Sequence, residues 1–164
     1  PRTDTPRPPR HPGRQVAGLR TPDPVPPAQS RHWEVMVDDE RKPMTNEQLI
    51  DQIYAAFASG DFDGFRALLS DDMVATINGT LPHSGRYESA DAFMDAPRTV
   101  GQNWPNFSLT PTSKFASGAH VFVQCDATAD GLHAEFLHMW KVENGKVVEF
   151  YAYDDSQKMA ASMK

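Results

Sequence analysis

Glu135 and Asp154 are the residues of this chain whose types and placement most directly promise chemistry. They lie within LHAEFLHMWKVENGKVVEFYAYD, residues 132–154, where two apolar-rich runs meet at Asn144-Gly145. Asn-Gly is a strong hairpin signal because a type I′ turn needs positive φ at both central residues. The turn sets Glu143 opposite Lys146. An unbroken register then pairs Val142 with Val147, Trp140 with Glu149 and His138 with Tyr151 on one face. The other face pairs Met139 with Phe150, Leu137 with Ala152 and Glu135 with Asp154. Opposed carboxylates are unfavourable unless water, a counter-charge or a shared proton relieves them. A shared proton would make the pair a general acid/base. Two splayed, solvated carboxylates would titrate ordinarily. His133 extends the same face, but no third ligand at fixed spacing supports a metal site, and none is expected.

Other side chains could serve the same chemistry. Tyr54, on the inner side of a helix, is a hydroxyl that reaches a pocket or packs in the core. His83 sits in a loop, LPHSG, near a pocket entrance. His138 shares its face with Trp140 and Tyr151, an aromatic surface that reads as a homodimer interface or helix packing. The candidate catalytic set is Glu135, Asp154, His133 and Tyr54. The candidate ligand-binding set is His83, Asn78, Phe93, Trp104, Leu137, Met139, Phe150 and Ala152. Cys125 has no basic neighbour in sequence and reads as an inert buried thiol.

These residues need elements to hold them. Thr45 and Gln48 have capping-box spacing, and Leu49, Ile50, Ile53, Tyr54 and Phe57 recur at helical spacing up to Gly60. Asp61 caps a second, short helix containing Phe62, Phe65, Leu68 and Leu69. Residues 72–78 read as a strand. Ser89 opens a third helix that breaks near Pro97. Residues 107–115 and 120–129 read as strands before the hairpin, and 155–163 as a terminal helix. Helices followed by an antiparallel meander predict an α+β domain with a curved sheet around a helix layer.

Composition divides the chain. Residues 1–43 hold ten of the fourteen prolines and carry a net charge of +2, whereas the remaining 121 carry −8. The first segment reads as a Pro/Arg-rich disordered leader, and 44–164 as the domain, with Met44-Thr45 its expected beginning. An acidic domain argues against nucleic acid as a partner. No run of about 18 apolar residues predicts a membrane span. The start lacks the apolar stretch of a signal peptide. A single cysteine suits a cytoplasmic setting. Glycine-rich phosphate loops, nucleophile elbows, HExxH and dinucleotide fingerprints are missing, so no cofactor is expected.

Three segments, IYAAFASGDFDGFRALLSDDM, LPHSGRYESADAF and HMWKVENGKVVEFYAYDD, resemble the SnoaL-like and ketosteroid-isomerase-like branch of the nuclear transport factor 2-like superfamily. The resemblance covers about residues 45–162. It implies a cone-shaped curved antiparallel sheet wrapped around N-terminal helices, with a deep, largely apolar pocket, commonly in a dimer. Family members include isomerases, polyketide cyclases, epoxide hydrolases, dehydratases and non-catalytic binders. The isomerase's helix-one tyrosine falls on Ile53, beside Tyr54. Its general base falls near Ile77, beside Asn78, and its protonated acid on Leu137. The last-strand aspartate of cyclases and epoxide hydrolases falls on Ala152. The resemblance therefore implies an apolar patch where relatives carry acids. Two functions stay open: a pocket protein for an apolar or mixed organic molecule with cofactor-free acid–base chemistry, or a non-catalytic binding or dimerisation module.

Overall fold

A computed structural model describes residues 43–164; the rest of the expected leader lies outside the described residues. Helix α1, Asn46–Ser59, starts with the expected capping box: Thr45 Oγ1 accepts from the Gln48 amide, and Gln48 Oε1 from the Thr45 amide. It ends at Gly60, whose φ of +73° suits the left-handed C-cap. Its buried stripe is Leu49, Ile50, Ile53 and Tyr54. Asp61 caps α2, Phe62–Ala67. Strand β1 is Leu69–Ile77 and the short β2 is Gly85–Tyr87. Ser89 caps α3, Ala90–Phe93, and α4 follows as Asp95–Asn103. Pro97 lies in the first turn of α4, where its missing N–H costs no internal bond, so it falls at a helix start rather than a break. Strands β3, Ser108–Ser117, β4, His120–Ala129, β5, Leu132–Glu143, and β6, Lys146–Tyr153, precede α5, Ser156–Ser162.

The six strands form one open sheet in the order β2-β1-β6-β5-β4-β3. It is mixed, because β1 runs parallel to β6 while the other pairs are antiparallel. The helices cover one face in an α+β cone. Buried apolar residues from both layers interlock, including Leu49, Ile53, Met73, Val121, Val123 and Val147. Trp104 is fully buried, and its Nε1–H donates to the Met159 carbonyl at 3.0 Å, tying α5 to the end of α4.

The β5–β6 register corrects the sequence expectation. Asn144 and Gly145 have φ of 51° and 72°, as a type I′ turn requires. Glu143 faces Lys146 and Val142 faces Val147, but Lys141 then faces Glu149, which leaves Val148 as an extra residue. This bulge moves every later pair by one. His138 faces Ala152, Trp140 faces Phe150, Met139 faces Tyr151 and Leu137 faces Tyr153. Leu132, Ala134, Phe136, His138, Trp140 and Val142 of β5 point inward and are buried. His138 and Trp140 therefore leave the outer face on which an interface was expected, and only Tyr151 of that trio remains there. Glu135 and Asp154 do not pair: Glu135 is exposed opposite Asp126 of β4, and Asp154 lies just past β6.

Glu135→Gln removes one member of the Asp126–Glu135 like-charge pair. Thermal unfolding should show a stability unchanged or raised by about 0.2–1 kcal/mol. A loss above about 2 kcal/mol would show that the Glu135 carboxylate accepts hydrogen bonds the fold needs.

Candidate functional site

Between the inner sheet face and the helices lies a cavity of about 80 Å³. Its walls are apolar, with Phe65, Phe93, Phe136, Trp140 and Phe150 prominent among them. Four polar side chains join this wall: Tyr54 from α1, His83 from the β1–β2 loop, His138 from β5, and Asp154 past β6.

Local bonding fixes each of them. Asn78 Oδ1 accepts from the Asp154 amide at 3.0 Å, and the Asn78 amide donates to the Ala152 carbonyl at 3.2 Å. The end of β6 is thus clamped and Asp154 is delivered inward. Ser84 Oγ donates to the Asn78 carbonyl and accepts from the Leu81 amide, closing the loop that carries His83. Tyr87 donates its hydroxyl to the His83 carbonyl at 2.7 Å, and Trp104 packs edge-on against the His83 ring with centroids 5.3 Å apart.

Asp154 sits between two imidazoles. His138 Nε2 lies 3.5 Å from Asp154 Oδ1, and His83 Nε2 lies 3.7 Å from Asp154 Oδ2. The three side chains are only 3–8% exposed, so their charges must be settled among themselves. The 3.5 Å contact is an ion-pair distance without hydrogen-bond alignment, since Asp154 Oδ1 is buried with no hydrogen-bonding partner. Burial pulls the His138 imidazolium down, but Asp154, with Cys125, more than offsets it and raises His138 to about 9. Burial raises Asp154, yet the two histidines outweigh it and hold the carboxyl below its ordinary value. At neutral pH the pair is imidazolium and carboxylate.

Tyr54 completes the chain of groups. Its Oη lies 2.7 Å from His138 Nδ1 and accepts from Trp140 Nε1–H at 3.2 Å. With His138 charged, both ring nitrogens are donors and Nδ1–H points at Tyr54. Burial first, with Cys125 and Asp154 adding to it, keeps the Tyr54 phenol protonated well above its usual range.

Tyr54, His83, Phe93, Phe150, Ala152 and Asp154 therefore meet at the cavity as expected residues. Asn78 and Trp104 support it from behind, holding Asp154 and His83. Glu135, His133, Leu137 and Met139 do not reach it, because the bulge leaves them on the outer sheet face. The apolar patch expected at Leu137 and Ala152 is His138 and Ala152 instead. His138 was placed on the wrong face, and the signal that finds it is the apolar alternation of β5 itself. Among the described residues no group of three or more His, Cys, Asp or Glu is arranged to hold a metal ion. No helix among them is long and apolar enough to cross a membrane.

The architecture is that of the nuclear transport factor 2-like α+β cone. A family model described as SnoaL-like domain matches residues 50–150, and the chain belongs to that family. No curated protein matches the sequence. Solved structures share the fold at low identity. Bal32a, from a soil-derived mobile gene cassette, is 19% identical with a TM-score of 0.67, over 73% of this chain and 96% of its own. An NTF2-like protein from Burkholderia thailandensis is 23% identical with a TM-score of 0.65, over 72% and 96%. IdmH from Streptomyces antibioticus, a polyketide cyclase candidate, is 21% identical with a TM-score of 0.61, over 72% and 97%.

The ion pair makes stability depend on pH. His138 holds its proton more tightly when folded, so its contribution is complete below 6.5 and is lost as pH rises through about 9. Asp154 behaves oppositely: its contribution is complete above 3.8 and is lost as pH falls through its lower folded value. Thermal unfolding should show a loss on the order of 2 kcal/mol between pH 6.5 and 9 that is missing in His138→Asn. Equal slopes in both proteins would show that His138 is neutral in the folded state.

Proposed function

We propose that this domain binds a small apolar or mixed organic molecule in the cavity and acts on it by cofactor-free acid–base chemistry. The observation that carries this reading is Asp154, a buried carboxylate on a largely apolar wall, with neither oxygen hydrogen-bonded and an imidazole 3.5 Å from one and 3.7 Å from the other. A core built only for stability gains little from such a group, because apolar residues of similar volume serve as well. A carboxylate aimed at an enclosed organic molecule is a general base.

The expected step is simple in its balance. A substrate C–H proton moves to Asp154, and the electron pair stays on the substrate as an enolate. Asp154 then returns the proton to another carbon or to a leaving hydroxyl. The lowered basicity of Asp154 demands a C–H acidified by a neighbouring carbonyl. His138 offsets the carboxylate charge before the transfer, and Tyr54 fixes the imidazole's orientation. Isomerisation, cyclisation and dehydration share this step; hydrolysis would use the same base on a water. The cyclase candidate among the structural neighbours is in keeping with it.

Exchange of carbon-bound hydrogen into D2O, followed by NMR over a panel of small cyclic ketones and hydroxyketones, tests this directly. The wild type should accelerate exchange in at least one member, and Asp154→Asn should slow it by about 10²–10⁴-fold. Binding without accelerated exchange would favour the alternative, a non-catalytic binding module.

We also propose that a second copy covers the outer sheet face. Phe115, Phe122, Met139 and Tyr151 are direct neighbours across four strands, and Leu137 and Tyr153 flank them. Phe115, Leu137 and Tyr153 are exposed, which supports a self-complementary apolar patch. Sedimentation should give a dimer that Leu137→Glu converts to monomer. A monomeric wild type at micromolar concentration would contradict this.

A further inference from the structure

Two cavities of this domain share a wall. The inner one, of about 80 Å³, is the chamber lined by Asp154. A second, of about 330 Å³, lies outside it, between the end of α1, the start of α2, α4 and the segment leading into β3. Phe57, Pro97, Phe107 and Leu109 line both. All four are half-buried. Phe57 and Phe107 meet edge-on with ring centroids 6.2 Å apart. Rings held only by apolar contact turn without breaking a hydrogen bond, so this wall is able to part.

Size argues that the two are used together. Small-molecule sites span about 300–1,000 Å³. The inner cavity alone falls well below that range, and with the outer one it enters the range. A glycine on the outer floor points the same way. Among the described residues, Gly101 is the one glycine with neither a positive φ nor a neighbour within 4 Å of where a Cβ would stand. It lies inside α4, where glycine is the poorest helix former after proline. Neither backbone nor packing requires it. What the missing side chain leaves is open floor.

The lining sets the chemistry of what would lie there. Ala58, Phe62 and the shared phenylalanines offer apolar surface, and Asn106 and Ser108 stand exposed among them. No lining residue is charged, so an ionic group would find no counter-charge.

We propose that the ligand is elongated: its reacting carbonyl end lies in the inner cavity beside Asp154, and an uncharged apolar chain passes between Phe57 and Phe107 into the outer cavity over Gly101. This rests on reading the inner cavity as a ligand site. Phe57 and Phe107 are then gate residues, and the outer cavity sets the chain length that the site accepts.

Calorimetric or NMR titrations of the full chain with cyclohexanone and 4-butylcyclohexanone test this. The butyl ketone should bind about tenfold more tightly or better, since its chain leaves water for apolar surface. Its terminal methyl should give nuclear Overhauser contacts to Ala58 and Phe62, which line only the outer cavity. Gly101→Leu, which stands a side chain on the open floor, should cut that advantage to below about threefold. If the butyl ketone binds no better than its parent, or its methyl touches only inner residues such as Phe136 and Ala152, this inference falls and the ligand site stands. An undiminished advantage in Gly101→Leu likewise overturns it. Should that variant fail to fold, the methyl contacts decide alone. If neither ketone binds at millimolar concentration, the ligand-site reading falls too.

Discussion

One extra residue in β6 governs which side chains this protein keeps inside. Side chains alternate across a strand, so a single unpaired position exchanges the two faces for everything beyond it. Val148 is that position. It lets Val147 next to the turn and Phe150 beyond it both face the core, and it carries Ala152 and then Asp154 inward with them. On the partner strand the same shift sets His138 and Trp140 across from Ala152 and Phe150. Without it the carboxylate would leave the cavity and the site would lose its charged centre.

The charged centre is costly to bury and gains its stability from pairing. Desolvation alone would drive Asp154 toward its protonated form and His138 toward its neutral one. Their mutual attraction reverses both tendencies, with His83 on the second carboxylate oxygen. Tyr54 and Trp140 hold the imidazole from its other side through one shared hydroxyl. Asn78 and the Ser84 loop fix the backbone on which Asp154 and His83 depend. The result is a polar group held from several elements inside a largely apolar chamber.

Much of the framework was legible in local patterns. The Thr45–Gln48 capping box, Gly60, Asp61, Ser89 and the Asn144-Gly145 turn all do what their chemistry dictates. Pro97 misled because proline breaks a helix interior but is welcome in a first turn. The site was legible only in part. Tyr54, His83 and Asp154 were recognisable as candidates, but a regular hairpin register assigned Asp154 to the wrong partner. The corrective signal lay in β5, where Leu132, Ala134, Phe136, Trp140 and Val142 alternate with His133, Glu135, Lys141 and Glu143. That pattern buries the even positions and therefore His138. The pairing of His83 with Asp154 was not readable, since it depends on a loop folding back from a distant part of the chain.

The central claim is that Asp154 is ionised and paired with a charged His138 inside the cavity at neutral pH. Nitrogen-15 NMR of the histidine rings, recorded from pH 6 to 10 in the wild type and in Asp154→Asn, tests it most directly. Both His138 nitrogens should be protonated at pH 7 and titrate near 9, and the titration should fall well below that value in the variant. A His138 that is neutral at pH 7 in the wild type, or one whose titration ignores the loss of Asp154, would contradict the account.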